Sequence, residues 1–447
     1  MTREDTIAAV ASPAGTGAVA LLRVSGPEAL AVAQKVWRGG ELRPRRSSYG
    51  SIVDESGLVI DEVLTTYFKG PASFTGEDTV EISCHGGMLV TQRVLEALLR
   101  GGARTAEPGE FTQRAYLNGK LDLTQAEAVM DVIVAQTDAA LRAAQRQLDG
   151  AIGARVTALR DELLGVLAHV EACIDFPEED ICPDTGAVLR GNIGNVAAGI
   201  TRLLATADQG RILREGARTV LAGAPNAGKS SLLNRLLGCE RAIVSDVPGT
   251  TRDTIEEVIA LRGIPLRLVD TAGLREVDNA VEREGVARTR RMVENADLIL
   301  EVVDASQPPV PAGRVVLPGE SGAKFLLVLN KADLGFHDSW QGREGVAVSC
   351  LTGQGMEDLT AAMARELSGG SQGFTGVEAA VNARHKACLE RASASLQAAT
   401  RQLDAAAAPE FIAVDLRESL ESLGEIAGRT DTEDLLGVIF SRFCIGK

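Results

Sequence analysis

Gly223-Ala224-Pro225-Asn226-Ala227-Gly228-Lys229-Ser230 has the residue types and spacing of a loop that wraps phosphates. Glycines free the backbone N–H groups to point at the anion, the lysine reaches the β and γ oxygens, and the hydroxyl can join Mg²⁺. Three further groups follow in order: Gly249-Thr250-Thr251, Asp270-Thr271-Ala272-Gly273 and Asn330-Lys331-Ala332-Asp333. Asp270, at the end of a strand, has the geometry to hold Mg²⁺ through water, and the Gly273 amide can meet the γ-phosphate. A carboxylate at Asp333 can accept both the N1–H and the 2-amino group of guanine, two donors that adenine does not offer together. A buried site built for such a pair rejects the wrong base by roughly 10⁴ to 10⁵. The four groups predict binding of GTP rather than ATP, with hydrolysis as the chemistry.

The set has a gap. Ras-like GTPases place a water-orienting glutamine just after the glycine that Gly273 matches, and this chain has Leu274, which neither donates nor accepts. An arginine finger, worth ~10³ to 10⁵ in rate where present, is not evident either. Another group must position the water and another positive charge must stand beside the phosphates. The residues nominate Glu282 or Glu284 for the first role and Arg252 or Arg275 for the second, without choosing.

Such groups need strands that end at one edge. Apolar runs at 219–222, 266–269, 298–303, 325–329 and 346–348 alternate with helical stretches, which predicts a mostly parallel doubly wound α/β sheet over residues 215–375. A helix beginning near Lys229 turns Leu232, Leu233, Leu236 and Leu237 inward. Before and after this segment the texture is helical. Leu141, Leu148, Ile152, Val156, Leu159, Leu163, Leu167, Val170 and Ile174 recur at three, four or seven residues, with breaks expected near Gly150 and Gly153. Leu389, Leu396 and Leu403 mark one later helix, and Leu416, Leu420, Leu423 and Ile426 another. The economical reading is one all-α helical domain from residues 120–214 and 376–447, with the nucleotide-binding segment inserted. Residues 1–119 mix strand-like runs (18–24, 79–83) with a helical run from Met88 to Arg100, and form an α+β domain.

Composition narrows the class. The 447 residues are enough for two or three cores, and 45% hydrophobic with 24% charged residues is ordinary for a soluble chain. No secretory pattern or membrane-length apolar run occurs, and the seven scattered cysteines form no C-x-x-C pair, so a reduced, cytoplasmic setting is expected. A net charge of −15 argues against generic nucleic-acid binding, although Arg38, Arg43, Arg45 and Arg46 are a candidate local patch for RNA.

The run 223–233, the loop Ser245-Asp246-Val247-Pro248-Gly249-Thr250-Thr251-Arg252-Asp253, the stretch 270–276 with Glu282, and the terminal Cys444-Ile445-Gly446-Lys447 together resemble the bacterial and organellar tRNA-uridine-modification GTPases, the MnmE or TrmE family. The similarity extends over the whole chain, through Phe74-Thr75-Gly76-Glu77-Asp78, His85-Gly86-Gly87, Pro108-Gly109-Glu110-Phe111 and residues 117–123.

The resemblance implies a Ras-like GTPase domain in which Asn226–Ser231, Ser245–Thr251, Asp270–Gly273, Asn330, Lys331, Asp333 and the loop Ser349-Cys350-Leu351 bind GTP. Lys229 and Glu282 are then catalytic, Glu282 orienting water. Ser230 and Thr251 hold Mg²⁺, and Asn226, Ser245, Val247 and Thr250 hold a K⁺ that replaces the arginine when two such domains meet in a homodimer. It makes the first domain a folate-binding and dimerisation module, with Arg23, Glu81, Lys120 and Lys447 around 5-formyl- or methylene-tetrahydrofolate and Cys444 nearby in a catalytic role. It implies a flavin-dependent partner subunit in a heterotetramer, which would carry the FAD because this chain has no G-x-G-x-x-G fingerprint. The substrate is tRNA, and no membrane is involved. The chain departs from the family at Ser349-Cys350-Leu351, where Ser-Ala-Lys is usual, and at Ser245, where threonine is common. A GTPase switch in ribosome assembly or stress signalling, without RNA chemistry, is the alternative reading.

Overall fold

The computed structural model describes residues 5–176, 185–224, 226–239, 256–270, 294–309, 322–369, 380–428, 433–441 and 443–447. These fall into two compact units: residues 1–130, 148–193 and 394–447, and residues 131–147 with 194–393.

The first unit is built on a seven-stranded sheet of β1 (Ile7–Val10), β2 (Val19–Ser25), β3 (Trp37–Gly39), β4 (Ser47–Val53), β5 (Val59–Phe68), β6 (Thr79–His85) and β7 (Arg104–Thr105), in the order β3-β4-β5-β6-β2-β1-β7. All pairs are antiparallel except β1 with β7. Alternation decides the faces: Ala20, Leu22 and Val24 of β2 and Val80, Ile82 and Cys84 of β6 are buried on one side. There they meet α1 (Ala29–Val36) and α2 (Met88–Arg100), through Val32, Ala33, Val94 and Leu98. Each such fully buried aliphatic side chain contributes about 1.5 to 3 kcal/mol. The opposite face therefore carries the intervening residues, with Arg23 opposite Glu81 in register. A short helix α3 (Glu110–Leu117) places Phe111 in a small core with Ile7, Ala9 and Ala106.

The helical part of this unit pairs the helix Ala151–Asp175 with the helix Pro409–Ala427. The second begins with proline at its first position and stops at Gly428, whose φ of 80° ends it in the left-handed conformation. Of the two expected breaks, only Gly150 is one, with a φ of 88° ahead of Ala151. Gly153 lies inside the helix, and a Cβ there would collide with the Asp122 carboxylate, so close packing is its purpose.

The second unit contains a six-stranded sheet of order β13-β12-β11-β8-β10-β9, from β8 (Ala217–Ala222), β9 (Glu256–Leu261), β10 (Ile264–Asp270), β11 (Leu298–Asp304), β12 (Lys324–Asn330) and β13 (Val346–Ala347). It is parallel apart from the edge strand β9. β9 reaches β10 through Arg262-Gly263, both at positive φ (49° and 85°), the backbone a tight two-residue hairpin requires. Leu221, Leu268, Leu300 and Val328 pack on Leu232 and Leu236 of the helix Lys229–Cys239 and on Leu359 and Met363 of the helix Met356–Leu367. Val220, Ala222 and Ile299 form a smaller core with Ala296 on the other side. Covering both faces explains why these strands read as continuous apolar runs.

Candidate functional site

Because β8, β11, β12 and β13 run parallel in register, their C-terminal ends meet at one edge, with Ala222 opposite Glu301 and Asn330 opposite Asp304. The phosphate loop leaves β8 there. Gly223 and Gly228 have φ of 139° and 98°, and a Cβ would collide with the Val302 carbonyl at the first and with the Asn330 side-chain amide at the second. Only glycine lets the loop pack this tightly, and that tightness aims its N–H groups and the start of the helix at Lys229 toward an anion. Asn226 is also left-handed (φ 63°) and exposed. Lys229 is buried, and its ammonium donates to the carbonyls of Gly223 (3.0 Å) and Ala224 (2.8 Å), inside the cradle that phosphate oxygens would fill. Ser230 and Ser231 are exposed at the head of the helix, and Ala227 is buried beneath the loop.

Asn330 connects the phosphate side to the base side. Only 2% exposed, it donates to the Ala227 carbonyl (2.8 Å) and accepts from the Cys350 N–H (3.3 Å). Lys331, at φ 64°, extends to Asp304 with a 2.7 Å ion pair, and Asp304 also accepts from the backbone N–H and hydroxyl of Ser306. Burial pushes the Asp304 carboxyl up, but Lys331 and Ser306 outweigh it and hold the group below its ordinary range. Asp333 stands exposed beyond them. The loop after β13 is tied by Ser349, whose N–H donates to Gln354 and whose hydroxyl accepts from the Thr352 N–H. Cys350 is half-buried, its thiol pushed up by burial, and Leu351 is exposed. Asp270 ends β10, which runs beside β8 with Asp270 opposite Leu221. Ser245, Asp246, Val247, Pro248, Gly249, Thr250, Thr251, Thr271, Ala272, Gly273, Leu274 and Glu282 lie outside the described residues.

A second constellation lies on the face of the seven-stranded sheet opposite α1 and α2. Arg23 donates from Nε (3.0 Å) and Nη2 (2.7 Å) to the same oxygen, Oε1 of Glu81. Its guanidinium sits over the rings of Phe74 (5.4 Å) and Phe111 (5.6 Å), which fix its plane. Phe111 also draws in the C-terminal tail: its N–H donates to the Lys447 carbonyl (3.1 Å), the Gly109 N–H to that of Cys444 (3.4 Å), and Ile445 bridges Pro108. Gly446, at φ 95°, lies so close to the Val10 carbonyl that a Cβ would overlap it. Cys444 is an exposed free thiol. Lys120 is exposed, its ammonium on the Pro71 carbonyl at 3.1 Å. Arg23, Glu81, Cys444 and Lys447 are thus linked through Phe111 and the tail, with Lys120 attached through the loop that carries Phe74.

Sequence reasoning did not assign Asp304 or the two phenylalanines. Asp304 was findable as a carboxylate at the C-terminal end of a parallel strand. Phe74 and Phe111 were in view within their motifs, but nothing local shows that both rings meet one arginine. Also unassigned was the ion network beneath Phe111, where Glu110, 1% exposed, takes Arg104 and Arg114 while Arg114 also meets Asp5 and Glu77.

A glycine-built phosphate cradle joined by a buried asparagine to a base-side loop, on a mainly parallel sheet, defines a P-loop guanine-nucleotide-binding protein. Comparison with known families matches residues 6–120 to the GTP-binding protein TrmE N-terminus and residues 123–444 to the MnmE helical domain. The chain belongs to the MnmE family of tRNA modification GTPases. It is 53% identical to the tRNA modification GTPase MnmE of Akkermansia muciniphila and 49% identical to that of Chloroflexus aurantiacus, covering 99% of this chain in each case and 99% and 100% of the relatives. It is also similar to the solved G domain of the T. maritima FeoB iron transporter, at 25% identity over 35% of this chain and 99% of that one, with a TM-score of 0.24. No helix among the described residues is long and apolar enough to cross a membrane.

Proposed function

We propose that this chain is the GTP-hydrolysing subunit of a complex that adds an aminomethyl or carboxymethylaminomethyl group at C5 of the wobble uridine of tRNA. The observation that carries this reading is one chain holding both a glycine-built phosphate cradle and, on a separate sheet, an arginine–carboxylate site closed by its own C-terminus. The first suits GTP. Mg²⁺ would be held by Ser230 and Thr251, with Asp270 acting through water, and would neutralise phosphate charge. The exposed left-handed Asn226 is free to turn toward a K⁺, which Ser245, Val247 and Thr250 would share when two nucleotide domains meet in a homodimer; Glu282 then orients water.

The second site suits a reduced folate. Both Arg23 bonds fall on Oε1 of Glu81, which leaves Oε2 open among the described residues to the paired donors of an amino-pyrimidinone edge. Lys120 and Lys447 supply positive charge for the folate's carboxylates, and Cys444 stands at the same tail. A flavoprotein partner would supply the redox cofactor. In this scheme residues 1–119 are the folate and dimerisation domain, 215–375 the GTPase domain, and 120–214 with 376–447 the helical body that transmits nucleotide state.

The test is mass analysis of tRNA nucleosides from cells lacking the protein. Loss of the C5 substituent at the wobble position is expected, and restoration requires the intact gene; unchanged wobble uridines would sink the reading in favour of a regulatory switch.

A further inference from the structure

In a chain of net charge −15, residues 35–46 carry five Lys and Arg against one Glu. The fold gathers three of them on one turn. Pro44 bridges Tyr67, the Arg45 N–H donates to the Tyr67 carbonyl (2.8 Å), and the Arg46 N–H donates to the Arg43 carbonyl (3.2 Å). Arg43, Arg45 and Arg46 are all exposed on this turn, which leads into β4 at the end of β5. Arg45 adopts a φ of 59°, a left-handed conformation unfavourable for a residue with a Cβ and one that concentrates at functional positions.

The turn stands beside the Arg23–Glu81 site. Arg45 Nη2 reaches the Ala72 carbonyl (3.4 Å) while Lys120 reaches Pro71 next to it, so two cations flank the loop that runs on into Phe74, whose ring lies against Arg23. Little compensates this charge. Arg43 pairs with Glu41, but both are well exposed and such pairs are weak. Arg45 and Arg46 have no carboxylate partner among the described residues. Asp78, close to the same loop, is turned inward and accepts from the Tyr67 hydroxyl (2.8 Å) and the Gly70 N–H (2.8 Å).

We propose that the Arg43-Arg45-Arg46 turn docks the RNA backbone of the tRNA substrate at the mouth of the Arg23–Glu81 site. The inference rests on the tRNA-modification reading and adds where the RNA lies. A base that receives a carbon from a folate must leave its stack and come to the folate, so the phosphates on either side of it pass the rim of that site. Guanidinium forks there match phosphate oxygens two at a time, which fixes register without reading sequence. Arg38 on β3 is set apart, its guanidinium turned back onto the carbonyls of Lys35 (3.2 Å) and Trp37 (2.9 Å). Its partner Ser51 lies five residues along β4 from Arg46, roughly 16 Å at ~3.3 Å per residue. On β5, Glu62 faces Ser51, so the RNA contact is confined to the Arg43-Arg45-Arg46 turn.

The experiment compares the full-length chain with R43E/R45E/R46E and R43K/R45K/R46K, using fluorescently labelled substrate tRNA titrated at several KCl concentrations. The charge reversal is expected to weaken tRNA binding by at least about 30-fold near 100 mM salt and to lower the log K against log salt slope by about 2. The lysine variant should keep the slope. GTP turnover and binding of monoglutamyl 5-formyl-tetrahydrofolate should stay as in the parent chain for both variants, which shows that they fold. Affinity within twofold of the parent with an unchanged slope overturns the proposal, as does a reversal that weakens only pentaglutamyl folate, or a parent chain that does not bind tRNA at all. Nucleoside analysis separates the two readings: wobble modification lost with the gene, but tRNA binding insensitive to the reversal, leaves the tRNA-modification reading standing and removes only this dock.

Discussion

The phosphate loop and the Arg23–Glu81 cluster both gather charged and hydrogen-bonding groups, yet they are made from opposite materials. The first is main chain: glycines at φ of 139° and 98° aim N–H groups, and Lys229, whose ammonium the loop carbonyls hold, is six residues from Gly223. The second is side chain: Arg23 meets a carboxylate 58 residues away, two aromatic rings, one from a loop and one from α3, hold its plane, and the C-terminus closes the construction from the far end of the chain. A backbone site fails when the chain is made to carry a Cβ. A side-chain site fails when a charge is removed.

The largest effect should come from adding atoms to the first. Gly228→Val places a β-branched side chain at φ 98° against the Asn330 amide, and Asn330 cannot retreat without releasing Ala227 and Cys350. GTP affinity, followed with a fluorescent analogue, should fall by at least about 100-fold. A loss below tenfold would mean the cradle is softer than its geometry indicates.

The matching test of the second region removes a charge. Glu110 accepts from Arg104, Arg114 and the Glu107 N–H while almost fully buried. Burial alone would raise its carboxyl, but Arg104, the Glu107 amide and Arg114 pull it down from 4.5 to about 2. A depressed carboxyl stabilises the fold above its unfolded value and loses that contribution as pH falls through the folded one. The parent chain should therefore lose stability progressively between pH 4.5 and about 2. Glu110→Gln should cost about 3 kcal/mol at neutral pH and flatten that acid slope. Denaturation followed by Trp37 fluorescence, in a chain with Trp340→Phe, reads this unit alone; an unaltered slope would assign the acid response elsewhere.

The same contrast explains what could be read from sequence. Gly223–Ser230 and Asn330–Asp333 were legible because a backbone cradle needs fixed residue types at fixed spacing, so a local string carries the geometry. The helix Met88–Arg100 and the strands from β8 to β13 except β9 were legible from apolar periodicity for a similar reason. β9 was not, because its partner is reached through Arg262-Gly263, where a positive φ at arginine has no composition signal. The Arg23–Glu81 pair was nominated only through resemblance: an arginine and a glutamate on separate strands look like ordinary exposed residues until the register β2–β6 sets them opposite. Gly153 was misread as a break for the complementary reason, since the Asp122 carboxylate that makes glycine necessary there comes from a preceding turn rather than from the helix itself.

The smallest expected effect tests whether the nucleotide site is backbone-built throughout. Asp304 is a charge-paired element among its described residues, holding Lys331 at 2.7 Å, and both are partly exposed, so solvent screens the pair. Asp304→Asn keeps the size and the Ser306 contacts but removes the charge opposite the ammonium. GDP affinity should fall only threefold to tenfold. Because the Asp304 carboxyl sits below its ordinary 3.8, it stays ionised in the parent at neutral pH, and the parent and variant affinities should run parallel between pH 6 and 8. A loss beyond 100-fold would show that base recognition depends on a side-chain charge as heavily as the Arg23–Glu81 site does. The division would then run through the nucleotide site itself, between a phosphate half made by the main chain and a guanine half made by the pair Asp304–Lys331.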